Sequence, residues 1–450
     1  MNQDLTRGPI TKTLFLFALP MTAGNLLQQF YNIADTLIIG RFVGAEALAA
    51  VGSSYTLMTF LTSILLGLSM GSGVAVSIAY GKGDTDQMKE QVFLSFVMIG
   101  LTSVVLSVLA FAGIDWILDV LQVPGEVRGL MREYLLVIFA GIGGTFLYNY
   151  AACLLRAVGN SVAPLWFLGA SALLNIVLDL VFVLVFSWGV WGAAFATILA
   201  QWLSGIGLFV YGTVKVPEFR VRKEHMRWNR KTASNLCHLS FITSAQQSIM
   251  NFGILVVQGR VNSFGPVVMA AFAAAVKIDS FAYMPVQDFG NAFSTFIAQN
   301  YGAGKQGRIR QGIRSAVWAS LGFGLAVSAL VWIFARPLML LFVEGTETAI
   351  LAEGVAYLRI EGAFYCLIGL LFLLYGFFRA IERPGMSVVL TVVSLGLRVL
   401  LAYTLSSIPA LGAVGIWMSI PIGWFLADVT GMIPLGRFYR GLKEEEVPRR

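Results

Sequence analysis

The sequence of 450 residues is short of charge: 31 Lys and Arg stand against 24 Asp and Glu, together 12%. Soluble domains carry about 25%. With 57% apolar residues and a mean hydropathy of +0.78, so few charges cannot cover a water-facing surface. A cytosolic enzyme or a nucleic-acid-binding protein is therefore excluded, despite the net charge of +7. Cys153, Cys237 and Cys366 are too few and too scattered for a disulfide framework or a Cys-rich metal site. His225 and His238 form no HExxH or ligand pair, and Gly304-Lys305 runs on into Gln306 rather than completing a phosphate loop. No nucleophile elbow or paired acid–base motif points to a membrane-embedded enzyme. Neither an enzymatic activity nor a cofactor is expected.

What is abundant is apolar sequence. A membrane-spanning helix needs about 20 mostly apolar residues. Such runs lie near 14–40, 47–78, 92–118, 134–156, 162–187 and 190–214, then near 237–261, 267–297, 313–335, 356–379, 387–408 and 411–436. Twelve spans put both ends of the chain on one side. The opening segment is too long for a signal peptide and lacks a small-residue cleavage site. Of the 31 basic residues, 23 fall on the side of the termini and six on the other, with Lys277 and Arg398 inside spans. Positive charge is retained on the cytoplasmic side, so both termini are expected there, in the plasma membrane of a prokaryote. The basic stretch Lys215 to Lys231 reads as a topology anchor.

That stretch also divides the spans six and six. Residues 1–214 are expected to form one lobe, 215–236 a cytoplasmic linker, 237–436 a second lobe and 437–450 a cytoplasmic tail. The halves repeat each other. Tyr80-Gly81-Lys82-Gly83 matches Tyr301-Gly302-Ala303-Gly304 at an offset of 221, and Leu155-Arg156-Ala157-Val158 matches Phe378-Arg379-Ala380-Ile381 at 223. Gly189-x-x-Gly192 and Gly412-x-x-Gly415 share the latter offset. A duplicated unit in one orientation implies two lobes related by a pseudo-two-fold along the membrane normal, an arrangement of carriers. The loops Tyr80–Gln91 and Tyr301–Gly312 read as cytoplasmic turns, and Gly67-x-x-x-Gly71 as a helix-packing site.

Charged groups at bilayer depth mark function by default. Asp35 lies deep in the first span and Asp179 in the fifth, one helical turn after Asn175 and on its face. Gln28, Tyr31 or Asn32, and Asp35 make a polar stripe on the first helix. Pro20, about four turns earlier, can kink that helix or supply a hinge. Two nearby carboxylates can take up a proton, and carboxylate, amide and hydroxyl oxygens can equally hold Na⁺. The second half departs here: at offset 223, Asn175 becomes Arg398 and Asp179 becomes Ala402. It carries instead Lys277, Asp279, Asp288 and Arg398. Lys277 and Asp279, two apart, do not face each other, so each is expected to pair with another span, Arg398 being a partner for either Asp. These charges are structural pairs or, with Gln246 and Gln247 of the seventh span, a second ion or substrate site.

The residues resemble the multidrug and toxic compound extrusion (MATE) family across essentially the whole chain. The resemblance is carried by Ala34-Asp35-Thr36-x-x-x-Gly40, Leu155-Arg156-Ala157-x-Gly159-Asn160, Asn175-x-x-x-Asp179 and Gln299-Asn300-Tyr301-Gly302-Ala303-Gly304-Lys305, in this order. It implies an all-α, twelve-helix membrane protein of two six-helix lobes in a V-shaped fold, exporting organic cations and other amphipathic compounds in exchange for H⁺ or Na⁺. It further implies a DinF-like site at Asp35 and Asp179, supported by Asn175, with Asn149 as an amide from the fourth span and Thr197 as a hydroxyl from the sixth. Pro20 would be the kink proline. NorM-type members place a carboxylate in the seventh span; here that span offers only Gln246, Gln247 and Asn251, which argues against a cation site of that kind.

The sequence thus points to a secondary antiporter of drug-like, often cationic solutes, working as a monomer in the lipid bilayer without a nucleic-acid partner. Its rival is a lipid-linked oligosaccharide flippase of the same superfamily. Such flippases line their cavity with basic residues, whereas before Lys277 no Lys or Arg lies in the interior of a span, away from its ends.

Overall fold

The computed structural model describes residues 3–121 and 123–442. Sixteen α-helices follow one another: α1 (Ile10–Phe42), α2 (Ala45–Lys82), α3 (Thr85–Ala112), α4 (Ile114–Val120), α5 (Gly125–Ala140), α6 (Ile142–Ala157), α7 (Val162–Leu180) and α8 (Gly189–Lys215). Then come α9 (Arg230–Asn262), α10 (Pro266–Gly302), α11 (Gln306–Met339), α12 (Thr348–Gly362), α13 (Tyr365–Ala380), α14 (Pro384–Thr391), α15 (Leu397–Ser406) and α16 (Ala413–Gly441).

Nine stretches among the described residues are long and apolar enough to cross a membrane, and two bent pairs raise that to eleven. The pairs are α5 with α6, bent by 45°, and α12 with α13, bent by 52°. They stand at the expected fourth and tenth spans, so the duplication extends to the breaks. In place of the seventh span, α9 has ample length with 33 residues, but Gln246, Gln247, Asn251 and its basic start dilute its apolarity. The expected third span stops short: α3 ends before Gly113, and Asp115 and Asp119 of α4 pair with Arg132 and Arg128 of α5 instead. At the other end, α16 runs on to Gly441 where a tail was expected, and 443–450 lie outside the described residues.

The chain divides into two compact units, and the division cuts two helices. One unit comprises 1–3 and Leu19–Ser244; the other comprises Asp4–Ala18 and Ala245–Arg450. These bounds differ from those of the expected lobes: the first turns of α1 group with the second unit, and the first turns of α9, together with the 215–236 segment, with the first. The segment is docked, not free: Phe219 and His225 are buried, and His225 Nε2 lies 3.2 Å from Asp86 Oδ1.

Within the first unit, small residues let α9 approach α2 closely. A Cβ on Gly67 would fall 2.4 Å from Ser244 Cα, and one on Gly71 would fall 2.5 Å from Leu239 O. The second unit repeats the device at α10 and α13, where a Cβ on Gly376 would meet Gly290 O at 2.5 Å. The segment before α1 is held there by hydrogen bonds: Arg308 donates to the carbonyls of Leu5, Arg7 and Gly8, and Lys305 Nζ to Thr6 O at 2.8 Å. Burial works against the Asp4 carboxylate in this segment, but hydrogen bonds from Thr6, with help from Arg7 and Lys305, outweigh it and hold its pKa below the usual range.

Left-handed backbone positions recur at the sequence offsets. Gly44 and Gly265, Gly83 and Gly304, Gly159 and Glu382, and Gly189 and Gly412 all have positive φ. At Gly83 and Gly304 this closes the loops after α2 and α10: Asp84 N returns to Ala79 O and Lys305 N to Asn300 O. These loops are helix ends, as their composition suggested.

Candidate functional site

The centre of the first unit is built where α1 and α7 meet. Asp179 is fully buried near the end of α7, and Asn175, 2% exposed, lies one turn before it. Asp35 of α1 is half-buried and meets Asp179 carboxyl to carboxyl. A hydrogen bond between two carboxyl groups requires a proton on one of them. With both ionised, Asp35 Oδ1 and both Asp179 oxygens have no donor, and the buried Asn175 Oδ1 is likewise without a partner. Four oxygens on three neighbouring side chains are then without a donor, where most buried polar groups have one. Their chemistry fits a proton or a hard monovalent cation such as Na⁺, with Asp35, Asp179 and Asn175 as the groups that would hold it.

The surrounding residues sort the expectations. Thr197 of α8 is brought in: its hydroxyl accepts from Asn175 Nδ2 at 3.4 Å and donates to Ala193 O at 3.1 Å. Asn149 lies on α6, but its amide is engaged with Thr145 O at 2.9 Å and makes no hydrogen bond to the carboxyl pair. Tyr31, one turn before Asp35, is hydrogen-bonded to Gln28 and senses the Asp35 charge, as the stripe on α1 suggested. Tyr134 of α5, 8% exposed, lies within range of the charges of Asp35 and Asp179 and near Tyr31. Sequence reasoning missed it, since a tyrosine in an apolar run gives no signal by itself. Its partner in the repeat, Tyr357 at offset 223, was the available clue.

Directly after Asp179 the backbone changes from α to π geometry over Val181–Val185. Such turns are rare and gather at functional sites. Pro20 lies inside α1, immediately after the point between Ala18 and Leu19 where the helix passes from one unit to the other. Its missing N–H leaves the Leu16 carbonyl without its helical partner.

In the second unit, Asp279 is buried and accepts the hydroxyls of Tyr357 and Tyr365. Arg398 acts on Asp279 and on Glu361 by charge, but among the described residues it forms no ion pair with either. Lys277 is not drawn to a carboxylate on another span. It is exposed, with Nζ 6.0 Å from the ring of Phe342. Asp288 is buried on α10 about 13 Å further along the helix than Asp279, so the two do not share a centre. Gln246 and Gln247 are buried on α9. Glu361 and Asp428, 6% and 4% exposed, are intramembrane carboxylates that the sequence reading passed over. Among the described residues, no group of three or more His, Cys, Asp and Glu could hold a metal ion.

A duplicated bundle of spanning helices around buried, unsatisfied carboxylates defines a polytopic membrane carrier. The MatE family model matches residues 20–181 and 240–404. The chain is 30% identical over 392 residues, 87% of each chain, to the probable multidrug resistance protein YpnP of Bacillus subtilis. It is 26% identical over 94% of its length, and 93% of the relative's, to a protein named FAD transporter from Shewanella oneidensis. A solved structure described as the outward-facing conformation of a multidrug resistance MATE family transporter of the MOP superfamily has the same fold. The TM-score is 0.91 at 23% identity, covering 99% of this chain and 100% of that one. The chain belongs to the MATE family of multi-pass membrane transporters, with the all-α, two-lobed, twelve-helix fold that its sequence implied.

Proposed function

We propose that the protein is a secondary antiporter that exports drug-like, often cationic organic compounds from the cytoplasm in exchange for H⁺ or Na⁺. The observation that carries this reading is the Asp35–Asp179 pair with its unsatisfied oxygens. An ion can drive transport only if two states of the carrier bind it with different affinity. A centre that lacks donors when empty and gains a proton or cation when filled supplies that difference. Its side chains sit on α1 and α7, and Pro20 gives α1 the means to bend as the centre fills. The distribution of basic residues supports cytoplasmic termini, and Asp35 and Asp179, with no carboxylate in the expected seventh span, support a DinF-like rather than a NorM-like reading.

The name of YpnP supports drug export, and that of the FAD transporter sets the rival cargo, an anionic dinucleotide. Reconstituted vesicles loaded with either a fluorescent organic cation or FAD, under separately imposed pH and Na⁺ gradients, test both cargo and ion. Efflux of the cation driven by one gradient is the expected result. Gradient-independent efflux, or efflux of FAD alone, overturns the reading.

A further inference from the structure

The second unit has a charge centre that the exchange mechanism above does not use. Asp279 of α10, 4% exposed, receives the Tyr357 hydroxyl of α12 on Oδ2 at 2.5 Å and the Tyr365 hydroxyl of α13 on Oδ1. Glu361, one turn after Tyr357, meets Asp279 carboxyl to carboxyl and also meets Tyr357. Its Oε2 is buried with no hydrogen-bond partner. Arg398 of α15 acts on both carboxylates, and its Nε is buried without an acceptor. From α16 comes Trp417, its ring 4.9 Å from that of Tyr357 and its Nε1 also without a partner. Lys277 points elsewhere, over Phe342.

Charge decides what such a centre can hold. Contact between Asp279 and Glu361 needs a proton, because two ionised carboxylates offer each other no hydrogen. With one proton shared, the pair carries a single negative charge, which the fixed guanidinium of Arg398 balances. The first unit has no such cation: at the offset of 223, Asn175 stands where Arg398 stands. Both Asp279 oxygens already receive hydroxyl donors, so few lone pairs remain for a metal cation, which needs a shell of oxygens. We propose that Asp279 and Glu361 form a second, separate proton-binding site, limited to one exchangeable proton by Arg398 as its tethered counter-charge. It stands independently of the cargo and of the ion used at Asp35 and Asp179.

The test uses the full chain carrying Asp35→Asn and Asp179→Asn, so that the first centre is silent. Infrared difference spectra across a pH titration should show a protonated carboxyl band that disappears on adding Glu361→Gln and persists in saturating Na⁺. Counting protons released with an indicator dye should give one more proton in the Arg398→Gln form than in the Arg398 parent. A band unchanged by Glu361→Gln, a band displaced by Na⁺, or a proton count unchanged by Arg398→Gln overturns the proposal. Should Glu361→Gln not yield folded protein, Asp279→Asn is read in the same way.

Discussion

Tyr134 and Tyr357 occupy equivalent positions in the two halves of the chain: Tyr357 donates its hydroxyl to the carboxyl centre of its unit, and Tyr134 lies within range of the charges of its own. Duplication has kept the tyrosine and moved the carboxylates around it: α1 and α7 supply them in the first unit, α10 and α12 in the second. The Tyr357 hydroxyl is bound to Asp279 Oδ2 at 2.5 Å. Tyr357→Phe removes one donor from a buried carboxylate, a loss of about 1.5–3 kcal/mol for a hydrogen bond to a charged group. A lower melting temperature of the purified protein is expected, and a melting curve equal to that of the parent would show that the bond contributes nothing to stability.

Asp35→Asn and Asp179→Asn keep the shape of each side chain and abolish the ability of that side chain to exchange a proton. Each is expected to lower gradient-driven export in vesicles by at least about tenfold, equivalent to about 1.4 kcal/mol of coupling. Binding of cargo in the absence of a gradient should change far less. Export that persists in both variants removes this pair from the mechanism.

Gly71→Leu tests the packing of α9 on α2. Any side chain at Gly71 runs into the backbone of Leu239 and Ser240, which cannot rotate away as a flexible side chain could. Overpacking of this kind costs about 1–3 kcal/mol and often more against backbone. The yield of monodisperse protein in size-exclusion chromatography should fall sharply, whereas Gly259→Leu, with no atom within 4 Å of its Cβ position, should be tolerated.

The spans, the duplication and the first centre were legible because each rests on composition at a fixed spacing: apolar runs, repeated glycines, and Asp35 and Asp179 in apolar surroundings. Glu361 was not, although it lies within the expected tenth span. Arg359, two residues earlier, is one of the six basic residues counted on the side away from the termini. Two residues on a helix lie on nearly opposite sides, about 200° apart. Arg359 therefore turns outward over Trp332, 5.1 Å from its ring centre, while Glu361 turns inward. The exchange of the first turns of α1 and α9 between units was hidden for another reason. It depends on which surfaces meet in three dimensions, and Leu5 and Asn300, hydrogen-bonded at 3.2 Å, are almost 300 residues apart.

Arg308 holds the segment before α1 by its fork: Nη1 donates to Gly8 O at 2.9 Å, Nη2 to Leu5 O and Arg7 O, and Nε to Asn300 Oδ1 at 3.2 Å. Arg308→Ala should raise hydrogen–deuterium exchange across residues 4–10 several-fold. Arg308→Lys should restore little of the protection, because a single ammonium cannot reproduce the planar array of donors. Full protection in the lysine form would mean that charge, rather than geometry, fixes the segment.

Pro20→Ala separates stability from motion. Alanine restores the hydrogen bond to the Leu16 carbonyl and removes a residue that disfavours a helix interior by about 3 kcal/mol. On stability alone the substitution should be neutral or favourable, and the melting temperature should hold or rise. If α1 must bend beside Pro20 for the Asp35–Asp179 centre to change state, the same substitution stiffens the step that transport requires. The expected outcome is a folded carrier that binds cargo as the parent does and exchanges it several-fold more slowly under a gradient. Vesicle efflux rates measured beside equilibrium cargo binding make the distinction. An unchanged efflux rate in a protein of unchanged or higher melting temperature would show that α1 works as a rigid rod, and the coupling would then have to run through the π turn after Asp179 instead.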